Sequence, residues 1–145
     1  MMLGRRSQKI EALKKVPLFA GLSKRHLDII ARGADEVKVD AGRVLVAQGG
    51  LGREFVLILE GSARVERDGK AIARLGRGDF FGEMSLIDRR TRSATVTAET
   101  PVVLLVVETR YFGALLDTVP GLQRSILLTL CVRLRAADEA LATRN

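Results

Sequence analysis

Apolar residues first recur at helical spacing, at Ile10 and Leu13 with Val16 beside them. This predicts a short helix over Ser7–Lys15 that stops ahead of Pro17, because the residue before a proline resists helical angles. Pro17-Leu18-Phe19-Ala20-Gly21-Leu22 reads as a turn with apolar anchors, and Ser23 as the N-cap of a second helix with Leu27, Ile30 and Ala31 on one face and Gly33 at its exit. From Glu36 to Glu108 the period changes to short β-rich runs: Val37–Val39, Val44–Ala47, Phe55–Glu60, Ala63–Arg67, Ala71–Leu75, Ala94–Ala98 and Val102–Val107. Glycines divide them, and Asp68-Gly69 has the chemistry of a hairpin turn. The helical period returns after Thr109, a candidate N-cap, with Phe112, Leu115 and Leu116. A last helix opened by Pro120 carries a stripe of Leu122, Ile126, Leu130, Leu134, Ala137 and Leu141, facing either the body of the domain or a second subunit.

The expected fold class is therefore α+β, mainly β. It is an antiparallel β-roll, jelly-roll-like, flanked by N-terminal helices and two C-terminal helices. At 145 residues the chain suits one domain over 1–145, divided into a helical segment (1–33), the roll (36–108) and the C-terminal helices (109–145). No repeat or structureless linker divides it further.

Composition narrows the function. One cysteine, Cys131, permits neither an intrachain disulfide nor a cysteine-rich zinc site, and it points to a reducing cytoplasm. Beside the last helical stripe it reads as a small core residue rather than a nucleophile. The only histidine, His26, cannot supply the His/Asp cluster of a metallophosphodiesterase, so no metal, cofactor or catalysis is expected. The Ser7–Lys15 segment is too polar for a signal peptide, and Val102–Val107 is too short to span a bilayer. The net charge of +7 is spread without a continuous tract. It reads as a solvated face, with a basic nucleic-acid-binding protein on the same scaffold as the alternative.

The segment richest in chemistry runs from Gly78 to Val96, GDFFGEMSLIDRRTRSATV. Its Phe81-Gly82-Glu83, aliphatic Met84 and Leu86, and Arg92-Ser93-Ala94 after a short loop resemble the phosphate-binding cassette of the cyclic-nucleotide-binding domain family. That family is shared by the catabolite activator protein, regulatory subunits of cAMP-dependent protein kinase, and cyclic-nucleotide-gated channels. The resemblance extends to Pro17-Leu18-Phe19, to Gly21-Leu22-Ser23, to Phe55–Gly61 and to the final helices, in the family's order.

A cyclic phosphate is a monoanion that loses water on binding, so its site needs fixed donors and a cation. Arg92 can grip the exocyclic oxygens with its planar fork, backbone N–H groups of Met84 and Ser85 at the start of a short helix add aligned donors, and Ser93 can donate a hydroxyl. Gly82 lets the backbone come close. The resemblance implies that Glu83 accepts from the ribose 2′-OH and that Arg92 holds the phosphate. It also implies a ligand-sensing module in which cAMP, with cGMP as the alternative, shifts the last helix. Ser93 is similar to the bacterial cAMP sensors, while Thr95 keeps a guanine contact open. Leu134, Arg133 and Arg135 are candidates to cap the base, Leu134 being read first as a dimer or core contact.

The expected partners are a cyclic nucleotide and, through the C-terminal helix, an effector protein or a second copy. No helix-turn-helix for DNA and no membrane span are expected. A start at Met1 and an end at Asn145 favour a stand-alone protein over an excised domain.

Overall fold

A strand in which every residue is apolar must bury both of its faces, and Phe55–Leu59 does so. In the computed structural model, which describes residues 4–50, 54–82 and 94–144, these residues form the centre of β3 (Glu54–Glu60) and all five are buried. Alternation sends Phe55, Leu57 and Leu59 to one core and Val56 and Ile58 to another.

The remaining strands are β1 (Ala34–Val39), β2 (Val44–Val46), β4 (Ala63–Arg67), β5 (Lys70–Leu75), β6 (Phe80–Phe81), β7 (Thr95–Ala98) and β8 (Val102–Glu108). They make two four-stranded antiparallel sheets, ordered β1-β8-β3-β6 and β2-β7-β4-β5. Between the sheets lie Val56, Ile58, Ala63, Val96, Ala98, Val102 and Leu104. The predicted hairpin forms at Asp68-Gly69. Both residues have positive φ (53° and 79°), and Arg67 pairs with Lys70.

The helices α1 (Gly4–Lys14), α2 (Lys24–Arg32), α3 (Thr109–Thr118) and α4 (Leu122–Arg144) complete the chain. Leu13, Leu27, Ile30, Phe112, Leu115 and Leu122 close the second core against the outer face of the first sheet. Ser23 caps α2 as expected, its hydroxyl accepting from the His26 amide at 3.2 Å. A row of rings crosses this core: Phe112 stacks on Phe55 at 4.1 Å, and Phe55 meets Phe80 at 5.3 Å.

Three expectations fail at the C-terminal end. Thr109 is the first residue of α3 and Glu108 its N-cap, because β8 runs on to pair Glu108 with Glu54 and passes straight into the helix. Cys131 is exposed rather than a core residue. Leu134 is 63% exposed, so of its two readings, a dimer or a core contact, the core one falls: α4 is buried at Leu122 and Ile126, touches the core through Leu130, and from Cys131 on turns most of its residues to solvent. Of the stripe, Ala137 and Leu141 are exposed as well.

Candidate functional site

Phe80 and Phe81 are too short a pair to show a period, yet they are the strand that delivers the cassette. Phe80 turns to the helical core and Phe81 to the interior between the sheets. Phe81 is paired with Val56, and Phe80 with Leu57. Because β6 runs antiparallel to β3, the chain leaves it toward the Glu54 end of the sheet. Gly82, half-buried, turns it there with φ of +100°, an angle that only glycine adopts without strain. The chain returns at Ala94, also half-buried, and enters β7, where Thr95 pairs with Glu66 near the β4–β5 tip.

Of the predicted site residues, Phe81, Gly82 and Ala94 are thus the two entrances of the cassette. Glu83, Met84, Ser85, Arg92 and Ser93 lie outside the described residues, as does the short helix expected at Met84 and Ser85.

The strand ends around these entrances are tied together by a residue with no sequence signal. Gln48, between β2 and β3, donates through Nε2 to Asp68 Oδ1 at 2.9 Å, while its Oε1 accepts from the Asp68 amide at 3.0 Å. Its own amide donates to Thr95 Oγ1 at 2.9 Å, so the hydroxyl weighed for guanine already serves the β2–β7 join. A cleft of ≈ 280 Å³ opens between β2 and the first sheet. Val37, Val39, Val46, Val56, Leu104 and Val106 are among its walls, with Asp35, Arg43 and Glu54 charged. A larger one, ≈ 520 Å³, lies between α1 and the first sheet, lined by Glu11, Lys15, Glu36, Glu60 and Arg77 among others. Neither cleft is lined by Phe81, Gly82 or Ala94. The smaller reaches Val56, the partner of Phe81, and the larger reaches Arg77, next to Gly78.

Arg133, weighed as a base cap, donates from Nη2 to the Phe80 carbonyl at 3.0 Å, and its guanidinium lies 4.3 Å from the centre of the Phe80 ring. His26 is engaged at the start of α2, its Nδ1 3.0 Å from Ser23 Oγ. Some of the surface charge is paired, as in Arg74 with Glu99 at 2.8 Å, Arg32 with Asp28, and Lys14 with Glu11. Such exposed pairs contribute little to stability. No single helix among the described residues is long and apolar enough to cross a membrane.

A two-sheet antiparallel roll with helices at both ends, interrupted before β7 by a glycine-opened cassette, defines a ligand-binding β-roll. The cyclic nucleotide-binding domain model matches residues 36–119, and the chain belongs to that family. Among curated relatives, the cAMP-dependent protein kinase regulatory subunit of Schizosaccharomyces pombe is 36% identical over 114 residues, covering 78% of this chain and 28% of the relative. The cyclic AMP receptor protein of Thermus thermophilus is 32% identical over 131 residues, 87% of this chain and 61% of the relative. The chain thus spans less than two thirds of each. Among solved structures, the regulatory domain of the Toxoplasma gondii kinase, co-crystallised with cAMP, superposes with a TM-score of 0.77 at 26% identity over 90% of this chain and 51% of that one. This chain is a cyclic nucleotide-binding regulatory domain.

Proposed function

We propose that the chain binds a 3′,5′-cyclic purine nucleotide, cAMP in preference to cGMP, under the cassette 78–96. In this reading Arg92 holds the cyclic phosphate together with the Met84 and Ser85 amides and the Ser93 hydroxyl. Glu83 accepts from the ribose 2′-OH, and Phe81, Gly82 and Ala94 shape the entrances. Carrying the reading is one observation: a cassette that keeps both Glu83 and Arg92 is joined to β6 by a glycine at φ of +100° in a chain of this family. The names of the relatives, cAMP-dependent and cGMP-dependent protein kinases and a cyclic AMP receptor protein, support a cyclic purine nucleotide, and Ser93 inclines the reading to cAMP.

Binding is the whole activity in this reading. One histidine, occupied at the α2 cap, leaves hydrolysis without the usual metal-ligand set. The domain works as a single unit over 1–145, in the cytoplasm, and signals through α4. That helix presents Leu127, Leu128, Val132, Leu134 and Leu141 to solvent, a surface suited to an effector protein or a second copy.

Calorimetric titration with cAMP, cGMP and 5′-AMP tests the reading. Saturable binding in the order cAMP, cGMP, 5′-AMP is expected. Equal affinity for 5′-AMP and cAMP, or no cAMP binding beside DNA affinity that falls steeply with salt, would overturn it.

A further inference from the structure

Among the described residues no strand pairs with the outer edge of β6, and such an edge leaves backbone carbonyls without a strand partner. The Asp79 carbonyl accepts from the Ile58 amide at 2.9 Å, so alternation along the antiparallel pair turns the next carbonyl, that of Phe80, away from β3. Arg133 supplies the donor for it, from a residue 53 positions away in sequence. The same guanidinium covers the face of the Phe80 ring, which is only 2% exposed and continues through Phe55 to Phe112 of α3. Along α4 from Cys131 to Ala142, Arg133 is the one residue that is not fully exposed.

We infer that Arg133 is a positioning residue, the latch through which α4 fixes β6 and, two residues on, Gly82 at the cassette entrance. Ring and carbonyl are gripped by one rigid cation, so a change in the path of α4 moves the edge strand or breaks both contacts at once. The functional consequence rests on the nucleotide-binding reading above: cassette geometry and helix position become a single equilibrium, and by reciprocity whatever orders one orders the other.

The test has a ligand-free arm and a ligand arm. Cys131 is the protein's only cysteine, it is exposed, and it lies two residues from Arg133 on the same helix, so it takes a nitroxide without engineering. In the ligand-free protein, Arg133→Ala is expected to raise nitroxide mobility and to speed hydrogen exchange at the Phe80–Gly82 amides by about tenfold, the scale of a lost charged hydrogen bond. Arg133→Lys should recover part of both effects. Asp138→Ala, at an exposed site on the same helix, should change neither.

In the ligand arm, Arg133→Ala is expected to weaken cAMP binding about tenfold and to abolish any cAMP-induced change in the nitroxide spectrum. An Arg133→Ala protein with wild-type exchange at Phe80–Gly82 and wild-type nitroxide mobility would overturn the latch, as would an effect shared equally by Asp138→Ala. If the parent protein binds no cAMP, the functional reading fails alone, and the ligand-free arm still decides the latch.

Discussion

Gly33 sits where α2 ends, and no side chain fits there. A β-carbon built on it would lie 1.9, 2.2 and 2.3 Å from ring atoms of Tyr111, a residue of α3 whose hydroxyl donates to the Ile29 carbonyl at 2.5 Å. The backbone itself is no obstacle, since φ of −100° and ψ of 9° are open to any residue. Gly33→Ala therefore isolates a steric effect. The ring must move by more than 1 Å, roughly, to restore contact distance, which costs about 1–3 kcal/mol for overpacking. Losing the tyrosine hydrogen bond adds about 1 kcal/mol. The smaller entropy of the unfolded alanine chain offsets about 0.4–1 kcal/mol. The expected net loss is about 2 kcal/mol, read by urea unfolding followed by circular dichroism. A double-mutant cycle with Tyr111→Ala makes the reasoning testable, because removing the ring should bring the cost of Gly33→Ala to about zero or reverse its sign. A loss under about 0.5 kcal/mol in the parent protein, or an equal loss in both backgrounds, would refute the contact between α2 and α3 as the cause.

At the proposed site, Arg92→Ala is expected to weaken cAMP binding by about 2–5 kcal/mol in calorimetric titration, and Arg92→Lys to lose affinity as well because a point charge cannot reproduce the fork. A change under tenfold for the alanine variant contradicts the phosphate role. Glu83→Ala should reduce the preference for cAMP over its 2′-deoxy analogue, and an unchanged ratio of the two affinities would put the ribose elsewhere. Gly82→Ala forces a side chain into the left-handed region at φ of +100°, at about 1–2 kcal/mol or more, which should surface in urea stability, in cAMP affinity, or in both. A variant equal to the parent protein on both measurements contradicts that turn.

Local signals that also determine the packing were readable in the chain. The unbroken Phe55–Leu59 run is a strand covered on both faces, and Asp68-Gly69 adopts the two positive φ angles that its residue types permit. Ser23 caps α2 through its own hydroxyl. What escaped was set by distant partners. Two residues cannot display a period, so β6 exists only because Phe80 and Phe81 pair with Leu57 and Val56. Thr109 has the chemistry of a cap, but the pairing of Glu108 with Glu54 carries the strand up to the helix and shifts the cap by one residue. The stripe on α4 has one period along its whole length. Nothing in that period records that most residues of the helix face solvent after Leu130, so the stripe alone places Cys131 and Leu134 against a core that they do not reach. At the site, the glycine singled out in the sequence, Gly82, turns the chain at φ of +100°, but the Gln48 clamp on Asp68 and the Arg133 contact with Phe80 depend on long-range closure of the roll.

The most direct test of nucleotide recognition is a crystal structure of the chain grown with cAMP. The expected electron density shows the Arg92 guanidinium on the exocyclic phosphate oxygens and the Glu83 carboxylate within hydrogen-bond distance of the ribose 2′-OH, both beneath the turn at Gly82. Density for the nucleotide at any other surface, or a saturated crystal in which both side chains point into solvent, would contradict the account.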